Sequence, residues 1–159
     1  DEHGTAISHY EASLRHRRSP WALRGLGMAL RQSDGGTAAQ AQGLDRLAEA
    51  RDLAPDLAPL TLELAEALLA DGRAEEASTL LTTLPAELRA LGRFKVVEIR
   101  AALALGDTET AGRILEEQFD VPNLREGELS MSALWHEAFP GRPVPSWYDF
   151  EMAPEGAEG

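Results

Sequence analysis

Apolar residues recur at helical spacing along most of this chain. They are densest from Ala58 to Leu84, where they fall three or four positions apart and stop only at Asp71-Gly72. A glycine directly after a helix adopts the left-handed conformation that ends it. The pattern therefore predicts two helices, one that stops at Asp71-Gly72 and one that ends at Pro85, joined by a short turn into an αα-hairpin.

A second pair of helices is predicted upstream, within residues 20–55. Its turn lies in the stretch SDGGTAAQAQ and is about four residues longer than the turn of the central pair, and Gly35-Gly36 inside that stretch indicates a loop. Before this pair, the apolar residues Ala6, Tyr10 and Leu14 predict one more helix, which we interpret as the second half of a truncated pair.

A third pair of helices is predicted downstream, from Arg93 to Phe119, with its turn at Gly106-Asp107. Its first helix departs from the pattern, because Glu98 occupies a position where the central pair has leucine. We assign residues 1–119 to about three and a half helical repeats. Stacked repeats bury a continuous core that a single pair cannot, so the chain is predicted to be an all-α solenoid.

The residues after this region break the repeat. Residues 120–153 predict one short helix followed by an extended segment, GRPVPSWYDFEMAP, whose three prolines disfavour helix. The short helix is predicted to have Ser130 or Ser132 as its N-cap and Leu134, Trp135 and Phe139 as its apolar face. Residues 154–159 are expected to be disordered.

The extended segment is too apolar to be left in water. It carries Trp147, Tyr148 and Phe150, which we expect to pack along the last repeats as an irregular C-terminal cap, because the ends of a solenoid need a cover. The same three side chains could instead dock on a second copy of the chain and form a homo-oligomer. Both arrangements stay open at this stage.

The central pair resembles the tetratricopeptide (TPR) repeat, which has a period of about 34 residues. The residues that match its pattern are Leu64, Ala65, Leu68, Gly72, Ala77, Leu81 and Leu84. The resemblance implies a right-handed superhelix of antiparallel helix pairs. It also implies a role in binding or scaffolding other proteins.

A narrower resemblance covers nearly the whole chain. The tracts RSPWALRGLGMAL, LAPDLAPLTLELAEALLADGRAEEA and VPNLREGELSMSALW, followed by YDFEM, are similar to the C-terminal half of large bacterial proteins of unknown function. In those proteins a β-rich, sugar-enzyme-like N-terminal domain precedes the repeats. The resemblance implies an accessory or dimerisation domain of a carbohydrate-active enzyme, with the N-terminal part of its own parent chain as a partner and any catalysis in that part.

Charge and cysteine content narrow the choice of partners. The 159 residues include 27 Asp and Glu against 15 Lys and Arg, for a net charge of −12. Such a chain is repelled by nucleic acid and by anionic lipid, so we expect neither as a partner and favour a protein or peptide.

The lack of cysteine excludes disulfides and favours the cytoplasm. Because the chain begins at Asp1 without an initiator methionine, we interpret it as a piece of a longer protein.

No set of residues predicts catalysis, a cofactor or a metal. His9 and His16 do not have the i,i+4 spacing of a helical metal-ligand pair. The adjacent glutamates Glu75 and Glu76 belong to one helix surface, whereas acid–base catalysis needs carboxyl groups that face one another across a pocket. Gly35-Gly36 lacks the lysine and the serine or threonine that follow a phosphate-binding loop. We therefore assign no catalytic, cofactor or metal residue and expect no enzyme activity.

The strongest candidate site is the concave face of the predicted solenoid. The TPR resemblance places the outward residues of each first helix there, namely Trp21, Arg24, Met28, Arg31, Glu63, Glu66, Arg93 and Arg100. The same register also turns Val97 towards this groove. Arginines, glutamates and apolar residues alternate there, which suits a peptide of mixed charge or the protein's own tail.

Two observations bear on this groove. The Lys/Asn clamp of chaperone-binding TPR proteins does not occur at these positions, so the resemblance does not extend to that subclass. The charges could also simply pair with one another across neighbouring helices, as exposed ion pairs often do. Peptide binding and internal pairing both stay open on the sequence.

Overall fold

The structure is a computed structural model that describes residues 2–121 and 131–148. Every regular element in these residues is a helix, which confirms the all-α prediction. The chain divides into two compact units, the first ending at Leu88 and the second beginning at Arg89. The described helices are α1 (Glu2–His16), α2 (Pro20–Gln32), α3 (Gly36–Leu53), α4 (Ala58–Ala70), α5 (Ala74–Thr82), α6 (Ala86–Arg89), α7 (Gly92–Ala104), α8 (Thr108–Glu116) and α9 (Met131–Ala138).

The first unit is a series of helices that pack on their neighbours in the chain. Helix α2 packs on α1 and α3, α3 packs on α4, and α4 packs on α5. One apolar cluster joins α2, α3 and α4 through Leu23, Ala50 and Leu60. A second cluster joins α3, α4 and α5 and consists of Leu44, Leu47, Leu64, Ala67, Leu68 and Ala77. Burial of these side chains provides the main stabilisation of the unit.

Helices α2 and α3 approach one another closely at two glycines. A methyl group on Gly27 would lie 2.8 Å from the carbonyl oxygen of Gly43, and one on Gly43 would lie 2.7 Å from the carbonyl oxygen of Gly27. Glycine inside a helix is unfavourable by roughly 0.5–1 kcal/mol relative to alanine. The contact between the two backbones therefore explains why both helices have glycine at this crossing.

The turn between α2 and α3 is shorter than the sequence analysis predicts. Helix α3 begins at Gly36, so the stretch TAAQAQ is helical, and the prediction of a long loop over SDGGTAAQAQ is wrong. Alanine and glutamine are strong helix formers, and Gly36 has a φ of +65° that only glycine adopts readily. About four extra residues add one turn to α3 and leave its apolar residues on the same face.

The second unit has a single larger core. Helices α8 and α9 pack on α7 and on one another. One cluster joins these helices to Tyr148 and contains the buried residues Ile99, Ala102, Ala111, Ile114, Leu115, Met131, Leu134, Trp135, Ala138 and Tyr148.

The C-terminal segment reaches this core through Tyr148. The side chain is 2% exposed, its hydroxyl donates a hydrogen bond to the carbonyl oxygen of Leu115 at 2.9 Å, and burial raises the pKa of the phenol. The neighbouring Trp147 is 44% exposed. Phe150 lies outside the described residues. Within the described part of the chain, Tyr148 is thus the aromatic residue that fixes this segment to its own helices.

The short helix before this segment is α9. Leu134 and Trp135 are buried and Phe139 is half-buried against the core, as its predicted apolar face requires. Ser132 lies inside α9, so the prediction of Ser132 as N-cap is wrong, because the helix has already begun at Met131. The other candidate cap, Ser130, lies outside the described residues.

The pairs α4–α5 and α7–α8 repeat one another along the chain. Helix α4 begins at Ala58 and helix α7 begins at Gly92, which is 34 residues later (92 − 58). The other bounds of the two pairs also differ by 34 residues. The first helix of each pair ends before a glycine with positive φ, +74° at Gly72 and +77° at Gly106. The second helices α3, α5 and α8 each bury a small residue at this 34-residue interval, Gly43, Ala77 and Ala111. They also bury a leucine at the same interval, Leu47, Leu81 and Leu115.

Candidate functional site

Two ion pairs connect the outward faces of α2 and α4. Arg24 donates to Glu63 through Nε and Nη2, at 2.6 and 2.5 Å. Arg31 donates to both carboxylate oxygens of Asp71, each at 2.8 Å. Such forked arrangements hold both side chains in a defined orientation. For Arg24, Arg31 and Glu63 the structure thus shows the pairing across neighbouring helices that the sequence analysis describes as an alternative to free groove charges.

Arg31 and Asp71 form the less exposed of these two pairs. Their side chains are 14% and 21% exposed, against 38% and 22% for Arg24 and Glu63. The hydrogen bond from Arg31 lowers the pKa of Asp71, and partial burial opposes this effect. The sequence analysis treats Asp71 only as a turn residue. A signal was present, because two arginines about two turns apart on α2 face two acids with a similar spacing, Glu63 on α4 and Asp71 at its C-cap.

The other predicted groove residues of the first unit differ in exposure. Trp21 lies in the first turn of α2 and is 56% exposed. Met28 is half-buried and packs on the cluster around Leu44 and Leu64. Glu66 is half-buried on α4. Of the predicted set in this unit, Trp21 is therefore the side chain that offers the most surface to a ligand.

The predicted groove residues of the second unit lie on α7. Arg93 is exposed and Arg100 is half-buried, and neither forms an ion pair with a residue in the described ranges. Val97 is 1% exposed, so the prediction that it faces the groove is wrong. The family register fails here because α7 buries side chains on more than one face, including Phe94, Val97 and Ile99.

An open cleft of about 630 Å³ lies between α1 and α2. It includes two of the predicted residues, Trp21 and Arg24. Its full lining is His9, Tyr10, Ser13, Ser19, Trp21, Ala22, Arg24 and Gly25. The α1 residues were missed from the sequence because we interpreted that helix only as part of a truncated repeat.

The floor of this cleft depends on a glycine in α2. A methyl group on Gly25 would lie 2.3 Å from the ring of Tyr10, so the ring can rest on α2 only because Gly25 has no side chain. The start of α2 is fixed by Ser19, whose hydroxyl accepts a hydrogen bond from the backbone N–H of Ala22 at 3.1 Å. Trp21 therefore projects from a rigid first turn beside the cleft.

Among the described residues, no three His, Asp or Glu side chains are grouped so that they could hold a metal ion. No described helix combines the length and the apolar character needed to cross a membrane. No protein-family model, no curated protein and no solved structure matches this chain.

Proposed function

We propose that this chain is a TPR-like helical repeat module that binds an extended segment of another protein along the outward face of α2 and α4. The observation that carries the proposal is the recurrence of one helix pair after 34 residues, from Ala58 in α4 to Gly92 in α7. TPR repeats have this period, and consecutive pairs stack so that their first helices offer an extended surface.

The buried positions support the same interpretation. The small residues Gly43, Ala77 and Ala111 lie one in each second helix, and all three are buried. At Gly43 the structure shows how close the approach of the paired helix is, since the carbonyl oxygen of Gly27 is within 2.7 Å of where a methyl group would be. Such close contacts fix the packing of the helices, while the outward face keeps Trp21 and Arg24 accessible, at 56% and 38% exposure.

The two forked ion pairs are suited to hold an extended chain. A guanidinium has five N–H donors and a carboxylate has about four acceptor sites, so the pair between Arg24 and Glu63 retains unused donors and acceptors. Those on Arg24 and Glu63 are accessible, because the side chains are 38% and 22% exposed. An extended peptide presents backbone N–H and C=O groups at regular intervals that match such a mixture of donors and acceptors.

Binding of a peptide library to the purified chain tests this function. We expect a subset of peptides of mixed charge to bind and Glu63→Ala to weaken their affinity about tenfold, since it removes an acceptor and frees Arg24. Glu76→Ala is the matched control, because Glu76 pairs with Arg73 within α5 and its neighbouring turn. Failure of every peptide in the library to bind would refute the function, and equal effects of the two variants would refute the assigned surface.

The resemblance to the C-terminal half of large bacterial proteins leads to a different test. An accessory or dimerisation domain is expected to bind a second copy or the N-terminal part of its parent rather than arbitrary peptides. Analytical ultracentrifugation of the chain, alone and mixed with that part, measures this directly. A stable complex combined with no binding from the library would favour the accessory role over the peptide-binding role.

A further inference from the structure

One stretch of the chain is opposite in charge to the remainder. Between Glu11 and Asp34 there is no acidic residue, while five arginines occur there, Arg15, Arg17, Arg18, Arg24 and Arg31. The stretch is therefore +5 within a chain of −12, which leaves −17 for all other residues. It comprises the last turns of α1, the connection to α2 and the whole of α2.

Some of this positive charge is neutralised inside the first unit. Arg18 pairs with Glu49 at 2.8 Å, and Arg24 and Arg31 pair with the acids on α4 and at its C-cap. Arg15 and Arg17 are exposed and form no ion pair with any residue that the structure describes. The C-terminal dipole of α1 amounts to about half of a negative charge, so it balances these two arginines only in part.

Of the two unpaired arginines, Arg17 lies at the end of the α1 face that lines the cleft. Arg17 follows Ser13 by one helical turn, and its backbone N–H donates to the carbonyl oxygen of Ser13 at 3.0 Å. Because residues four apart share a face of a helix, Arg17 continues the line of His9 and Ser13 that forms one wall of the cleft. The opposite wall begins with Trp21, whose indole is 56% exposed.

We propose that the cleft between α1 and α2 binds an acidic peptide segment of a partner protein that carries one apolar side chain. The apolar side chain packs against Trp21 and the ring of Tyr10, and a flanking carboxylate faces Arg17. This inference rests on the proposed function in that the partner is a protein. It adds a second contact surface and specifies the charge of the partner.

The charge distribution selects a peptide over other anionic ligands. Nucleic acid and anionic membranes carry charge over long distances and would meet the −17 of the surrounding chain. A short acidic segment can keep its charges within the basic stretch. Single exposed tryptophans are common on protein surfaces, but here Trp21, the cleft and the unpaired Arg17 occur together.

Fluorescence anisotropy with three labelled peptides tests the charge preference. The peptides share one central phenylalanine and have flanks of Glu and Asp, of Gln and Asn, or of Lys. We expect the acidic peptide to bind the intact chain at low salt, the neutral one to bind at least about tenfold more weakly, and the basic one to bind weakest. Added salt should weaken the acidic peptide, since screening reduces the attraction of exposed charges.

Matched variants then locate the contact. Arg17→Glu should weaken the acidic peptide about tenfold, whereas Arg113→Glu, the same charge change at a 65% exposed arginine on α8, should change affinity by less than about twofold. Trp21→Ala should also cause about a tenfold loss, and Trp147→Ala is its control in the second unit. All four side chains are largely exposed, so circular dichroism should show unchanged helix content.

The outcomes separate this inference from the proposed function. Equal losses in Arg17→Glu and Arg113→Glu would reveal general charge attraction and overturn the inference. Preference for a basic or mixed peptide, with binding that depends on Glu63 and not on Trp21, would also overturn it while leaving the peptide-binding function intact. Absence of binding by any peptide of any charge would overturn both.

Discussion

The helix pairs α4–α5 and α7–α8 have the same lengths but differ in the side chains that their first helices bury. Their second helices agree closely, with Leu81 and Leu115 at 2% and 0% exposure. Their first helices do not. Leu64 of α4 is 7% exposed within an apolar cluster, whereas Glu98, at the matching position of α7, accepts a hydrogen bond from Arg89 at 2.6 Å.

The difference shows how a repeat accommodates an acid at an apolar position. Arg89 belongs to α6, a one-turn helix that occurs between α5 and α7, and its pairing partner Glu98 is 24% exposed. A partly buried carboxylate is costly unless it is paired, and α6 provides the partner. The second helices therefore preserve the register of the repeat, while the first helices vary and can acquire specific surfaces.

Exchanging leucine and glutamate at the matching positions 64 and 98 gives the largest expected change in the free energy of unfolding. Leu64→Glu should lower the free energy of unfolding by about 3 kcal/mol or more, because it places an unpaired carboxylate in an apolar cluster. Glu98→Leu should change it by less than about 1 kcal/mol, since the ion pair is partly exposed and Arg89, at 37% exposure, can keep its charge in water. Chemical denaturation followed by circular dichroism measures both. Similar effects of the two variants would contradict the comparison.

The glycines of α2 extend the comparison to the first helix pair. Gly27→Ala should destabilise the chain by about 1–3 kcal/mol, because the new methyl group meets the backbone of Gly43, which cannot turn away. Gly25→Ala is the matched control, since its methyl group meets the ring of Tyr10, a side chain that can rotate. The gain in helix propensity is the same for both, so equal melting temperatures would refute the glycine contact.

The turns of the two matching pairs differ in their N-caps. The Asp107 carboxylate accepts a hydrogen bond from the N–H of Thr110 at 3.0 Å at the start of α8, but Arg73, at the matching position before α5, makes no such bond. We expect Asp107→Ala to lower the melting temperature, because it removes this N-cap hydrogen bond. Arg73→Asp should raise it by somewhat less, because it also loses the pair with Glu76. Thermal unfolding shows whether each variant raises or lowers the melting temperature. Two shifts in the same direction would contradict this account.

The smallest expected effect is the pH dependence of the pair between Arg31 and Asp71. Arg31 lowers the pKa of Asp71 below its usual value of 3.8. The stabilisation is therefore fully present above that value and is lost as the pH falls through the lower pKa of the folded state. Asp71→Asn should destabilise by about 0.5–1 kcal/mol near neutral pH, and the difference from wild type should shrink in acid.

Asp56→Asn is the control for this prediction, because Asp56 is exposed and forms no ion pair with a described residue. Denaturation curves recorded across the acid range provide the measurement. A difference between wild type and Asp71→Asn that is constant from neutral to strongly acid pH would show that the ionised carboxylate contributes nothing.

Much of the fold could be predicted from local patterns. The ends of α4 and α5 follow from Gly72 and Pro85, because glycine after a helix and proline beyond it act within a few residues. The loop prediction over SDGGTAAQAQ failed where the helix propensity of the alanines and glutamines outweighed the Gly-Gly signal. Helix α6 was not predicted, since four residues are too few to show a period.

The candidate site was predictable only in outline. The TPR resemblance predicted Trp21, Arg24 and Arg31 as groove residues, but it wrongly placed the buried Val97 there and did not include Asp71 or the α1 wall of the cleft. Helical periodicity tells which side chains share a face of one helix. It does not tell what a neighbouring helix brings to that face.

The order of amino acids thus specifies the helices, their turns and the interval at which the pair recurs, because capping, glycine conformation and apolar spacing act over a few residues. The contacts of the folded chain specify which charges remain available. Arg24 and Arg31 find their acids 39 and 40 residues away, and such partners are chosen by helix packing rather than by local sequence. For the same reason the cleft beside Trp21 becomes visible only when α1 and α2 are packed together.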